Sequence, residues 1–237
     1  MTLFVASNRP RTLVVAIERS GLAGPRSAPE GERGESIEDR ELAAVVIGPW
    51  ADPVTPWARG PVEDVTGALG ALWPMVEELG SDFDRISACC DQASERAVLV
   101  DALARQSMRP ARVAGVTELA SRSVIEGRGI ELVLSLGARF GAALFADGAA
   151  LPSFELAKHR FRKGATYAEY LANADALGRR KWNKRALRAI DQLLAVFEPR
   201  KLYVTGRDAV LVHDEPADRV EVVREDRALA GAIALWR

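Results

Sequence analysis

Short apolar runs alternate along this chain with longer stretches of helical period, and that alternation limits the fold more than any other feature. Strand-like runs fall at Leu13–Ile17, Ala43–Ile47, Ile86–Cys90, Arg112–Val116, Ile130–Leu136, Ala142–Phe145, Leu202–Val204 and Val220–Val223. Between them, apolar residues recur with helical spacing over Val62–Leu79, Glu95–Gln106, Thr117–Glu126, Thr166–Leu177 and Trp182–Phe197, and again from Arg227 onward. Strands interleaved with helices predict an α/β protein. Ser27–Arg40 is polar and turn-rich, and reads as a mobile loop or hairpin tip rather than a linker. No internal repeat of short period is visible.

Composition narrows the class. The chain has 237 residues, 48% of them hydrophobic, and a net charge of -1, enough to bury a sizeable core in one domain or two small ones. No apolar run approaches the roughly 18 residues that cross a bilayer, and MTLFVASNRPR lacks the features of a signal peptide, so a cytoplasmic location without a membrane partner is expected. Cys89 and Cys90 are adjacent and poorly placed for a disulfide. With His159 and His213 as the sole imidazoles, a Cys/His zinc site is not expected.

Two segments look built for a ligand. LVVAIERSGLAG (Leu13–Gly24) is an apolar strand running into a glycine-flanked turn, with Glu18 and Arg19 at its tip. IELVLSLGARFGAALFADG reads as a tight hairpin followed by a second turn at Asp147–Gly148. The second is followed by FRKGATYAEYL, GRRKWNKRALRAIDQLL, RKLYVTG and a terminal GAIALWR. This succession resembles the polyphosphate glucokinase branch of the ROK sugar kinases, closely from about Val113 to Arg237 and more loosely from Leu13 through Asp91.

The resemblance implies an actin-like ATPase (ribonuclease H-like) fold with two α/β domains around a cleft. It divides the chain into an N-terminal domain over 1–116, a C-terminal domain over 117–226 and a last helix over 227–237 packing back across the hinge. Family members transfer a phosphoryl group from ATP or polyphosphate, with Mg2+, to the 6-hydroxyl of glucose or a related sugar.

The matched positions depart from the family's chemistry. In the opening hairpin the family's aspartate and two glycines become Ala16, Glu18 and Arg19, while Ser20, Gly21 and Gly24 match. A carboxylate there repels phosphate, where bare glycines let amides approach it. The catalytic base position is Val116, which accepts no proton, and a lost base costs about 10²- to 10⁴-fold in rate. Glu118 is a weak substitute, pointing some 200° away along a helix, and also reads as an acid favoured by the helix dipole. In the second hairpin Gly137 and Gly141 survive, Ala138, Arg139 and Phe140 replace the middle, and Arg139 is either an anion clamp or a solvated tip. The nucleotide-side loop, glycine-rich in the family, reads Thr205, Gly206, Arg207, Asp208.

On the sugar side Glu155 matches the family's sugar-binding glutamate, although it also reads as a helix cap. Lys158, followed by His159, stands where the family has a sugar-contacting histidine, and Gly115 stands where it has asparagine. From Lys158 to Arg188 the chain is basic, including Arg179, Arg180 and Lys181, and the run is either a solvated helix face or a polyanion site. Nucleic acid is a weaker reading, because Phe161, Tyr167, Tyr170 and Trp182 have core spacing. The sequence therefore points to a degenerate kinase scaffold, a pseudo-sugar-kinase that needs no cofactor and binds glucose, polyphosphate, a second copy of itself or an active homologue. The alternative is an active glucokinase using Mg2+ with ATP or polyphosphate in a rebuilt site.

Overall fold

In the computed structural model the described residues are 10–19, 40–62, 64–90, 93–137, 140–152, 154–162, 164–172, 174–213, 218–223 and 228–236. They divide into two compact units, one formed by Met1–Leu119 with Leu229–Arg237 and the other by Ala120–Ala228.

The first unit is organised by β1 (Thr12–Arg19), whose apolar side chains are buried on both faces of a sheet. Such double burial is the signature of a central strand covered by helices on each side. β2 (Arg40–Ile47) pairs with β1 antiparallel from Thr12↔Ile47 to Arg19↔Arg40, and β3 (Ala58–Val62) pairs with β2 in the same sense. Helix α1 (Val65–Leu79) starts where the Asp64 carboxylate accepts from the Gly67 amide at 2.7 Å and stops at Gly80, whose φ is 59°. β4 (Arg85–Cys90), α2 (Ala93–Ser107), β5 (Ala111–Ala114) and α3 (Val116–Ser121) follow. The sheet order is β3-β2-β1-β4-β5, with β1, β4 and β5 parallel.

Alternation sorts the core. Leu13, Val15, Ile17 and Cys90 face Ala68, Leu72, Leu99 and Leu103 of α1 and α2. Val14 and Cys89 face Leu119, Ala232 and Leu235 on the other side. The adjacent cysteines are not in a disulfide, and both are buried and directed to opposite cores.

The second unit repeats the plan. β6 (Ile130–Ser135) is central, β7 (Gly141–Ala146) and β8 (Ala149–Ala150) lie antiparallel on one side, and β9 (Arg160–Arg162) and β10 (Ala165–Thr166) form a separate small hairpin. Helices α4 (Tyr167–Leu171), α5 (Ala174–Leu177) and α6 (Arg179–Phe197) precede β11 (Lys201–Thr205) and β12 (Val220–Val222), which are parallel to β6. The order β12-β11-β6-β7-β8 is the order of the first sheet read from the other edge. Along α6, Trp182, Ala186, Ala189, Ile190 and Leu193 form the buried stripe that packs on Leu132, Leu134 and Leu136 of the sheet side.

Several boundaries differ from those read in the sequence. The period over Thr166–Leu177 is broken into α4 and α5, because the carbonyls of Tyr170 and Leu171 accept from Arg185 and from the Trp182 indole instead of from amides four residues on. The period over Thr117–Glu126 ends at Ser121, since buried Glu131 accepts from the amides of Glu126, Gly127 and Arg128 at 2.7–3.1 Å and fixes a loop there. The strand read as Arg112–Val116 stops at Ala114, and Val116 opens α3. β3 shows no apolar run in the sequence because it contains Gly60 and Pro61, which an edge strand tolerates. The last helix, α7 (Ala228–Ala234), packs on the first unit's sheet.

Candidate functional site

In the first unit the candidate residues gather where β4 and β5 end. Gly115 is buried and its carbonyl accepts from the Leu119 amide at 2.8 Å, which makes it the residue that caps α3. Val116 is the first helical residue, half-buried against Val14, Cys89 and Leu119. Glu118 turns back so that its Oε2 faces the Gly115 amide at 3.4 Å, the carboxylate half of a capping box. Ser20 and Gly21 of the opening hairpin, and the side chains of Glu18 and Arg19, lie outside the described residues.

A residue that the sequence did not single out completes this strand end. Arg96, in the first turn of α2, donates through Nε to the Cys90 carbonyl at 3.1 Å. Its guanidinium lies across Gly115, where a β-carbon would come within 2.7 Å of a terminal nitrogen. The one signal available was the arginine at the start of the helical period after β4, together with a glycine at the end of the next strand.

In the second unit Gly137 and Gly141 stand at the turn end of the β6–β7 hairpin, where Ser135 pairs with Gly141. Arg139 lies outside the described residues. Beside Gly137 runs the loop Thr205–Asp208: Gly206 has φ 91°, and a β-carbon on it would stand 2.4 Å from the Leu136 carbonyl oxygen, so glycine is obligatory here. That same Leu136 carbonyl accepts from the Asp208 amide at 3.0 Å. The Asp208 carboxylate is buried and pairs with Arg207 Nε at 3.0 Å, which places negative charge at the start of the 3₁₀ turn Arg207–Leu211.

Glu155, Lys158 and His159 come together around one exposed 3₁₀ turn, Leu156–Lys158. Glu155 adopts φ 43°, makes no side-chain cap, and pairs with Lys158 Nζ at 2.7 Å. The His159 ring shares a hydrogen bond with the Phe154 carbonyl at 3.0 Å. Left-handed backbone at a glutamate is a local cost of the kind that collects at functional turns.

Arg179, Arg180 and Lys181 are all exposed at the start of α6, after Gly178 with φ 75°. With Leu177, Gly178 and Lys184 they line a hollow of about 470 Å³. The aromatic residues of the region are core: Phe161 meets Tyr167 at 4.5 Å and Tyr170 at 4.9 Å between ring centres, and Trp182 is fully buried. Burial raises the Tyr167 hydroxyl above its ordinary pKa, while the amide and hydroxyl of Thr166 hold Glu169 below its own in a capping box. Among the described residues no cluster of His, Cys, Asp and Glu is arranged to hold a metal, and no helix is long and apolar enough to cross a membrane.

No family model matches the sequence, and no curated protein matches it. Solved structures do match. The inorganic polyphosphate/ATP-glucomannokinase from Arthrobacter sp. strain KM superposes with a TM-score of 0.65 at 16% identity, covering 96% of this chain and 98% of that one. A ROK family glucokinase from Streptomyces griseus, in complex with glucose and AMPPNP, gives 0.63 at 14% identity over 95% and 97%. A ROK family transcriptional regulator, a homolog of the E. coli MLC protein, gives 0.59 at 12% identity over 82% and 74%. The chain has the α/β, actin-like ATPase-class fold of the ROK sugar kinases, as its motifs led one to expect.

Proposed function

We propose that this chain is a ROK-family, polyphosphate glucokinase-like protein that no longer transfers a phosphoryl group to sugar and acts in the cytoplasm by binding a ligand or partner. The observation that carries the reading is the end of β5. The position matched to the base is Val116, half-buried against an apolar cluster, and the neighbouring carboxylate, Glu118, is turned onto the Gly115 amide. Phosphoryl transfer needs a group that receives the sugar hydroxyl's proton and donors that neutralise the phosphates. The first is absent from the matched position. On the matched nucleotide-side loop, the buried Asp208 carboxylate is paired with Arg207 and its amide is spent on the Leu136 carbonyl, so Asp208 offers the phosphates no backbone donor.

The ROK fold is compatible with such a role, since one of the similar structures is a transcriptional regulator. Glucose, polyphosphate, a second copy of the chain or an active homologue are the ligands and partners in view. Purified protein assayed for glucose 6-phosphate formation with Mg-ATP and with polyphosphate, beside the Arthrobacter enzyme as positive control, tests the reading. Background turnover is expected. The second reading, an active glucokinase in a rebuilt site, draws on the same carboxylate: its 3.4 Å contact with Gly115 is long, and a substrate hydroxyl could compete for Glu118. Glucose turnover that falls at least tenfold in Glu118→Gln would establish it in place of the first.

A further inference from the structure

Arg96 is held at the carboxyl ends of two adjacent parallel strands. Its Nε is bonded to the last carbonyl of β4, and its guanidinium rests on the glycine that follows β5. Carboxyl ends of parallel strands are where open α/β sheets take their ligands. The side chain is half-buried, yet among the described residues its hydrogen bond is the Nε contact and no carboxylate pairs with it. The adjacent Glu95 is met by the Cys90 thiol at 3.5 Å, and Glu118 is turned to the Gly115 amide. A guanidinium carries five N–H donors in a planar fork, so among the described residues four of these have no hydrogen-bond acceptor. A cation drawn out of water without a counter-charge is unfavourable, and an incoming oxyanion relieves that cost through a bidentate contact.

We infer that Arg96 makes this strand end select a sugar bearing an oxyanion, a phosphate ester or a carboxylate, over the neutral sugar. The inference rests on the reading that the first unit still binds a ligand of sugar class. Gly115 belongs to the same device. Any side chain at 115 would drive the guanidinium away, so the glycine in place of a sugar-contacting side chain is what lets the arginine lie there.

Isothermal titration of the full chain with glucose, glucose 6-phosphate, glucuronate and inorganic phosphate, at constant ionic strength, is the test. At least one of the two anionic sugars should bind roughly tenfold or more tightly than glucose, and which one does so identifies the ester or the carboxylate as the recognised group. Arg96→Ala should remove that advantage and Arg96→Lys should restore part of it. Gly115→Ala, which leaves the charge in place but displaces it, should also remove it, with circular dichroism confirming that each variant is folded. Equal binding of glucose, unchanged anion affinity in Arg96→Ala, phosphate alone binding as tightly as either sugar, or no binding in any arm would each overturn the assignment. Glucose turnover by the same preparation would instead overturn the proposed function and leave the titration result standing.

Discussion

The indole Nε1 of Trp236 donates to the Ser87 hydroxyl at 2.7 Å across 149 positions of chain, and that hydroxyl donates in turn to the Ala232 carbonyl at 2.7 Å. Arg85 and Arg112 lie 5.3 and 4.7 Å from the centre of the same indole ring, and Arg112 also bonds the Leu235 carbonyl. The chain end is thereby locked onto β4 and β5 of the first sheet. Removing the shared hydroxyl leaves a donor and an acceptor unpaired in a buried place, and each such loss costs about 1–3 kcal/mol. Ser87→Ala should lower the urea-unfolding free energy by an amount in that range, and Trp236→Ala by about 3 kcal/mol. A change under about 0.5 kcal/mol in both variants would show that the chain end is held by other contacts.

Two glycines with positive φ should respond differently to alanine. Gly80 has φ 59° and nothing within 4 Å of a new β-carbon, so Gly80→Ala meets only the left-handed backbone penalty of about 1–2 kcal/mol. At Gly206 the same methyl would press to 2.4 Å on a carbonyl oxygen that is itself hydrogen-bonded. Gly206→Ala should unfold or aggregate the second unit at a temperature where Gly80→Ala stays folded, as thermal melts followed by circular dichroism would show.

Glu126 carries a readable acid limb. Hydrogen bonds from Lys201 at 2.9 Å and Arg200 at 2.7 Å lower its pKa from 4.5 to about 2. A carboxylate depressed in the folded state stabilises fully above its unfolded pKa, and that contribution fades as the pH falls from 4.5 toward 2. Melting temperatures of the original and Glu126→Gln proteins should differ at pH 7 and converge below pH 4.5. A gap that stays constant down to pH 3 would detach the ion pairs from stability.

On the proposed reading, an acid placed at position 116, which matches the family's base, should not give a working kinase. In Val116→Asp the new carboxylate would sit beside Gly115 with the Arg96 guanidinium still across it, and the second unit would keep Asp208 in the loop that matches the family's glycine-rich one. Groups that act as a unit are strongly non-additive, so one repair leaves the rate at background. Glucose phosphorylation well above that of the unmodified protein would mean that the other departures are tolerated.

How far the sequence could be read follows from which forces act locally. Most strands were legible from their apolar runs, because a doubly covered sheet demands continuous Val, Ile, Leu and Ala, as in β1 and β2. The duplicated sheet order was not legible, since β3 with Gly60 and Pro61 shares no residue pattern with the two-residue β8. The break between α4 and α5 was hidden for a different reason: it is imposed by side chains of α6 reaching back from Trp182 and Arg185. At the site, Gly115, Val116 and Glu118 could be placed by their motif, whereas Arg96 becomes visible only when a neighbouring strand end brings it onto a glycine from 19 residues further along the chain.

The first turn of α6 predicts a charge-driven anion contact that does not depend on the glycine hairpins. Arg179, Arg180 and Lys181 sit at the positive end of the helix macrodipole, where cations are disfavoured by about 0.3–1 kcal/mol each, and Lys184 adds a fourth charge to the hollow they line. A polyanion seated there relieves this repulsion and releases counterions, so long-chain polyphosphate should bind at low salt and dissociate steeply as salt rises and the screening length shortens to about 8 Å. Replacing the three residues with glutamine should weaken that binding by roughly tenfold or more and flatten its salt dependence. The same variant should melt no lower than the original, because it removes charges from the wrong end of a helix. Titration of polyphosphate at two salt concentrations, paired with thermal melts, separates the outcomes: equal and negligible affinity in both proteins at low salt would leave these cations as a solvated helix face, and a lower melting temperature would mean that they stabilise the fold.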